Sequence, residues 1–253
     1  MNAKKIGLIT GGSRGLGKNM AVAIAKQGMD VVITYNTNKE AAERVVAEIQ
    51  SLGQKALAFQ LDTRDIGSFD SFIQQLTAQL KEQTGSANID FLINNAGTAL
   101  YMPFANTTEA QMDEIFHIHY KGVFFLTQKL LPFINDGGCI INISSGLSRI
   151  TLPGCSVYGS LKAAIETLTR YMAMELGTRK IRVNAVAPGA IETDFGGGYI
   201  RDNKEMNAQV ASLTALGRVG LPDDIGGVVA FLCTDEAYWI NGQRIEVSGG
   251  QSL

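Results

Sequence analysis

"KIGLITGGSRGLG", Lys5–Gly17, decides how the rest of the chain is read. "KIGLIT" is a short apolar run of the kind that forms a strand buried on both faces. Four glycines follow within seven residues, and from Gly15 to about Gln27 the apolar residues recur at helical spacing. A strand that passes through glycines into a helix brings bare backbone N–H groups to the positive end of that helix, where they suit a pyrophosphate. A tight turn alone needs fewer glycines. The spacing is G-x-x-x-G-x-G from Gly11 rather than the usual G-x-G-x-x-G, but its place between strand and helix points to a dinucleotide.

The same alternation continues outward. "DVVITY" predicts a second strand and Glu40–Leu52 a helix; "KALAFQLD" predicts a third strand and Gly67–Glu82 a helix. "IDFLINNA" and "GCIINISS" predict strands four and five, with one long helix over Glu109–Leu131 between them. A helix beginning in "SVYGSLKAAIE" and the strands "IRVNAVAPG" and "RIEVSG" complete the series. No linker, repeat or charge run divides the chain. We therefore expect one domain over residues 1–253: α/β, a doubly wound parallel seven-stranded sheet (Rossmann), three-layered, with ligand at the carboxyl ends of the strands.

Composition narrows the function classes. With 22 basic and 24 acidic residues, a net charge of −2 makes no electrostatic case for nucleic acid or an anionic membrane. Three widely spaced cysteines and two histidines argue against a disulfide framework and against a metal site, and fit a reducing compartment. The apolar stretch following Met1 is too short for a signal peptide or a membrane span. The expectation is a cytoplasmic protein without metal.

The second strand runs into "TYNTN", Thr34–Asn38, with no acid until Glu40. NAD sites tend to place an acid there for the ribose 2′-hydroxyl, about 20 residues past the loop. Arg14 in the glycine loop instead offers a guanidinium to a 2′-phosphate. NADP(H) is favoured, with NAD(H) possible and Asn36 near the ribose.

In "SVYGSLKAAIE", Tyr158 and Lys162 stand four apart and share one helix face. Taken alone the pair also fits a core tyrosine beside a snorkelling lysine. Read in order, "TGGSRGLG", "NNAG", "ISS", "YGSLK" and "APG" together resemble the short-chain dehydrogenase/reductase family, near its 3-oxoacyl-carrier-protein reductases and related carbonyl reductases. The resemblance spans essentially the whole chain. It implies that Tyr158 is the acid–base group, that Lys162 tunes it and binds the nicotinamide ribose, and that Ser145 holds the substrate oxygen. An ammonium and a cationic ring beside a phenol are expected to lower its pKa. Ser144 is the alternative to Ser145, since neighbouring strand residues face opposite sides. A hydrolase elbow, G-x-S-x-G, is absent.

The resemblance also implies cofactor contacts at Gly11, Ser13, Arg14, Gly15, Leu16 and Gly17. Further along it implies them at Asp62 (adenine), Asn94, Ala96 and Gly97, Pro188 and Gly189, and Thr193 (carboxamide). Asn94 in the family steadies the central sheet. Where the family carries a fourth catalytic asparagine, three residues before a glycine, this chain has His119 in "FHIHYKG". Either the backbone there suffices and the ring only packs, or the ring joins the proton relay.

The implied activity is hydride transfer between a nicotinamide cofactor and a ketone or aldehyde. A 3-oxoacyl-carrier-protein or 3-oxoacyl-CoA reductase is the alternative, although "TALYMPF" follows "NNAG" where carrier-protein reductases tend to be charged. A non-catalytic dinucleotide sensor is the competing class. "DFGGGYIRDNKEMNAQVASL" reads as a lid hinged at Gly196–Gly198, with Leu147, Leu152 and Phe195 as apolar walls. The helices containing Phe116–Leu126 and Ile165–Met174 are apolar around much of their circumference; the resemblance, whose members commonly pair these two helices and add a contact through the last strand, implies a homotetramer, with a homodimer as the fallback.

Overall fold

The structure is a computed structural model and describes residues 4–253, so the start of the chain lies outside the described residues. Seven strands form one parallel sheet: β1 (Ile6–Ile9), β2 (Asp30–Tyr35), β3 (Ala56–Gln60), β4 (Ile89–Asn94), β5 (Ile134–Ile143), β6 (Arg182–Pro188) and β7 (Arg244–Val247). Their spatial order is β3-β2-β1-β4-β5-β6-β7. The chain winds outward from β1 to β3, returns to the far side of β1 with β4, and winds outward again. The carboxyl ends of β1 and β4 therefore part at the topological switch point, where such sheets open a crevice.

The helices are α1 (Gly15–Lys26), α2 (Lys39–Ser51), α3 (Phe69–Thr84), α4 (Glu109–Phe116), α5 (Gly122–Leu130), α6 (Ser156–Glu175), α7 (Tyr199–Asp202), α8 (Lys204–Ser212) and α9 (Pro222–Leu232). Successive strand residues feed two cores. Ile9, Ile33, Ile93 and Ile141 pack with α1 and α9 on one face. Leu8, Val32, Leu92 and Ile140 pack with residues of α3, α5 and α6 on the other. Apolar residues at consecutive positions are what this period-2 division requires.

The helix expected over Glu109–Leu131 is divided. A capping box at Thr108 and Gln111 starts α4, and one π-helical turn over His117–Lys121 separates it from α5. A Cβ at Gly122 would stand 2.2 Å from the Thr63 carbonyl oxygen, so the helix runs against the loop after β3 there. The wider turn carries His119 at its centre, and such insertions are frequent at functional sites. The fifth strand begins earlier than expected and ends before Ser144, leaving both candidate serines on the turn that follows. Beyond β6, Gly196, Gly197 and Gly198 all take left-handed backbone, with φ of 62°, 77° and 76°. No described helix is long and apolar enough to cross a membrane.

Candidate active site

A cleft of about 990 Å³ opens at the carboxyl ends of the central strands. Every candidate residue borders it except Asn94. Asn94 is a correction as a cofactor contact: its side chain is buried, donating to Thr127 Oγ1 at 3.0 Å and to Asn142 Oδ1 at 2.9 Å. Asn142 in turn donates to Thr169 Oγ1, so the two asparagines brace α5, β4, β5 and α6. Its neighbour Asn95 faces the cleft instead, donating to the Thr10 and Gly11 carbonyls at 2.8 and 3.2 Å. Both stand in "NNAG", and the two neighbours face opposite ways.

The glycine loop is built as a cradle. Gly11 has φ 65°, and a Cβ at Gly17 would lie 2.2 Å from the Gly11 carbonyl oxygen. Only glycines let loop and helix close together there. The first N–H groups of α1 have no partner within the helix and stand at its positive end. Loop, helix end and cleft volume together fit the phosphates of a dinucleotide. Asn36 borders the same end, and Asp62 is clasped by Arg64, whose guanidinium holds the carboxyl below the usual carboxylate range. Arg14 is largely exposed, with Nη1 2.5 Å from Asp194 Oδ2 on the segment after β6. An exposed pair of this kind contributes at most about 1 kcal/mol, so it leaves the guanidinium free to exchange partners.

At the other end, α6 presents Tyr158 and Lys162 on one face, both buried. Lys162 Nζ stands 5.4 Å from the centre of the phenol ring and donates to the Ile143 carbonyl at 2.7 Å. Burial pushes the Lys162 ammonium down to about 7. It also pushes the Tyr158 phenol up; Tyr101 and Cys155 add to that, and the Ser145 hydroxyl opposes it. The lowering is expected of Lys162 together with a cationic nicotinamide ring; among the chain's own groups desolvation is the largest influence on the phenol. Tyr158 holds its proton.

Ser144 and Ser145 divide as adjacent residues should. Ser144 is buried with its hydroxyl 2.6 Å from Glu166 Oε1. Ser145 turns toward the cleft, its Oγ accepting from the Leu147 amide at 3.2 Å.

His119 is buried and wedged between Gly97 and Tyr158. A Cβ on Gly97 would stand 2.6 Å from His119 Cε1, and the imidazole meets the Tyr158 ring edge-on at 5.2 Å. His119 Nε2 lies 2.8 Å from the Thr98 carbonyl oxygen and 3.3 Å from the Thr98 amide nitrogen; Nδ1 is buried without a partner among the described residues. Burial and the Lys162 charge bring its pKa to about 3, so the ring is neutral near pH 7. The walls near Tyr158 are apolar and aromatic. Phe195 lies 6.0 Å away between ring centres, and a Cβ on Gly196 would come within 3.0 Å of the Tyr101 ring. Tyr101 escaped the sequence reading because "TALYMPF" carries no motif.

A family model described as enoyl-(acyl carrier protein) reductase matches residues 11–252. The chain belongs to the short-chain dehydrogenase/reductase family. It is an oxidoreductase of that family, on the expected Rossmann fold. Among similar proteins, the hydroxynaphthalene reductase-like protein Arp2 of Metarhizium brunneum (strain ARSEF 3297) is 34% identical over 259 residues, covering 98% of this chain and 95% of that one. The structure of the promiscuous reductase LugOII, which catalyses keto-reduction at C1 during lugdunomycin biosynthesis, superposes with a TM-score of 0.94 at 38% identity. It covers 99% of both chains. The landomycin C-6 ketoreductase LanV, with bound NADP and rabelomycin, superposes at 0.90 with 34% identity, covering 99% of this chain and 97% of that one.

Proposed function

We propose that this enzyme reduces a ketone on a fused aromatic ring system, using NADPH. The observation that carries the reading is the aromatic enclosure of a buried, protonated Tyr158 by Phe195, with Tyr101 against the adjacent glycine. Flat faces favour a flat substrate. Arp2 is named as hydroxynaphthalene reductase-like, a fused aromatic ring, and LugOII and LanV are named for keto-reduction.

The cofactor would lie with its phosphates on the Gly11–Gly17 loop, its adenosine end toward Asn36, Asp62, Ala96 and Gly97, and its nicotinamide end toward Lys162, Pro188, Gly189 and Thr193. When bound and reduced, it supplies a hydride. The chain's own residues supply the rest. Ser145 Oγ donates to the carbonyl oxygen, which polarises the carbonyl and holds the oxygen as it gains charge. Tyr158 then delivers its proton to that oxygen, a transfer favoured because the alkoxide formed is much the stronger base. Lys162, half-charged near pH 7, steadies the phenolate left behind. His119 keeps the phenol ring in place and stays neutral.

Arg14 and the acid-free Thr34–Asn38 stretch support NADP(H) over NAD(H). The chain acts as a homotetramer in this reading, with the dimer as the smaller alternative. Of the apolar residues on the two helices, Ile115, Leu126, Ile165 and Leu168 are core, whereas Phe124, Tyr171 and Met174 stay exposed. Light scattering at a mass near 27.2 kDa would refute assembly. Three unpaired, buried thiols support a cytoplasmic location.

The test is a substrate panel followed by loss of NADPH absorbance: tetralone, cyclohexanone, acetoacetyl-CoA and crotonyl-CoA. The expected order puts tetralone first in kcat/KM by at least about tenfold, about 1.4 kcal/mol of transition-state binding. A preference for either thioester would replace the aryl-ketone reading by an acyl one, and no turnover of tetralone would refute the aryl-ketone reading.

A further inference from the structure

Tyr158, Lys162 and Glu166 follow one another at four-residue spacing along α6. The first two serve the cleft. The third anchors a polar cluster that the mechanism above leaves unused. Glu166 Oε1 accepts from Ser144 Oγ at 2.6 Å and from Arg244 Nε at 2.7 Å, and lies 2.6 Å from Ser148 Oγ. The two serines bracket Ser145. Ser148 Oγ is also 2.8 Å from the Ser145 carbonyl oxygen, and Ser145 Oγ closes the turn by accepting from the Leu147 amide. The whole turn is thus tied, on both sides of Ser145, to one oxygen atom of the helix that carries Tyr158.

Two further contacts show how closely turn and helix are matched. A Cβ on Gly159, next to Tyr158, would stand only 2.7 Å from the Leu147 carbonyl oxygen, so backbone meets backbone there. On the other side Arg244 Nη1 reaches Glu246 Oε2 at 2.9 Å, and Glu246 Oε1 pairs with Arg149 at 2.8 Å. Edge strand β7 therefore holds the Glu166 carboxylate from behind. Hydrogen bonds to a carboxylate are roughly twice as strong as neutral ones, which strengthens this link between turn and helix.

We propose that Glu166 is a positioning residue for the reduction: by holding Ser144 and Ser148 against α6 it sets the Ser145 hydroxyl against the Tyr158 phenol. The inference rests on the reading of Ser145 and Tyr158 as the pair that receives the substrate oxygen. Glu166 touches neither substrate nor cofactor, and its effect passes through Ser145.

The experiment is a double-mutant cycle in the full-length enzyme with NADPH and the best ketone of the panel. Glu166→Gln keeps the shape and one acceptor oxygen but removes the charge that two hydroxyls and a guanidinium face. Its expected effect is a fall in kcat of about tenfold with KM for NADPH within about twofold, since misplacing one oxyanion donor costs the transition state and not the cofactor. In the Ser145→Ala background the same change is expected to lower kcat by less than about twofold, because the group it positions is gone. Equal losses in both backgrounds would mean a general structural role and overturn the proposal, as would a Glu166→Gln enzyme with full kcat. Ser145→Ala with full kcat would overturn the reading of the site itself; a Ser145→Ala loss beside an unaffected Glu166→Gln overturns only the role of Glu166. Should Glu166→Gln fail to fold, Ser148→Ala removes one strut without a change of charge. It is expected to show the same background-dependent pattern at about threefold, and full activity there overturns the proposal.

Discussion

Replacing Lys162 by methionine is expected to stabilise the cofactor-free enzyme while disabling it. Lys162 is buried, and among the described residues its ammonium has one hydrogen-bond acceptor, the Ile143 carbonyl at 2.7 Å. No carboxylate pairs with it among the described ion pairs. Burial lowers its pKa from 10.5 to about 7. At about 1.4 kcal/mol per pH unit, that drop corresponds to roughly 5 kcal/mol of unfavourable charge burial below pH 7. Methionine removes the charge and fills most of the same volume, but it strands the Ile143 carbonyl, at a cost of about 1–3 kcal/mol. Water entering the open cleft softens both terms, and a net gain of about 2 kcal/mol remains, or roughly 4–8 °C in Tm for a chain of this size.

The sign of the pH dependence follows from the same two values. Between about pH 7 and 10.5 the unfolded chain binds a proton on Lys162 that the folded chain does not, so this residue's contribution to stability rises with pH. Below about pH 7 both states are protonated and the cost of burial is constant and complete. The advantage of Lys162→Met is therefore largest near pH 6 and shrinks toward pH 9.5, short of the range where the raised Tyr158 pKa acts in the opposite direction. Reversible urea unfolding of both proteins at about pH 6 and about pH 9.5 measures it. A variant less stable than wild type near pH 6, or an advantage that fails to shrink with pH, would refute the reasoning.

Tyr158→Phe removes the proton donor and nothing of the cofactor cradle, so kcat should fall at least about 100-fold with NADPH affinity nearly intact; retention of more than about a tenth of kcat would exclude Tyr158 as the acid. Arg14→Ala should raise KM for NADPH well above its effect on KM for NADH, because the exposed guanidinium can leave Asp194 for a 2′-phosphate. Equal effects on both would show that Arg14 does not read that group. His119→Asn should leave the pH profile of kcat/KM unchanged between about pH 5 and 9, since an imidazole held at a pKa of about 3 does not titrate there. The loss of an inflection in the variant would return the ring to the proton relay.

What the sequence by itself determined is what is local in the chain. Apolar runs alternating with helical periodicity were enough for seven parallel strands and the crevice between β1 and β4, because periods of 2 and 3.6 are written in consecutive residues. Glycines at Gly11, Gly15 and Gly17 marked the cradle, and the four-residue step from Tyr158 to Lys162 marked a shared helix face. The tertiary structure alone decided everything that depends on burial or on distant partners. Asn95 turned to the glycine loop; Arg14 found Asp194, 180 residues on, and Glu166 found Arg244, 78 residues on. A π turn replaced the middle of one long helix where Gly122 meets the loop after β3. Lys162 and Tyr158 took shifted pKa values because desolvation in a buried cleft is the largest influence on both. Desolvation is a property of the closed volume around a group, and that volume exists only once the strands, the helices and the segment after β6 have packed.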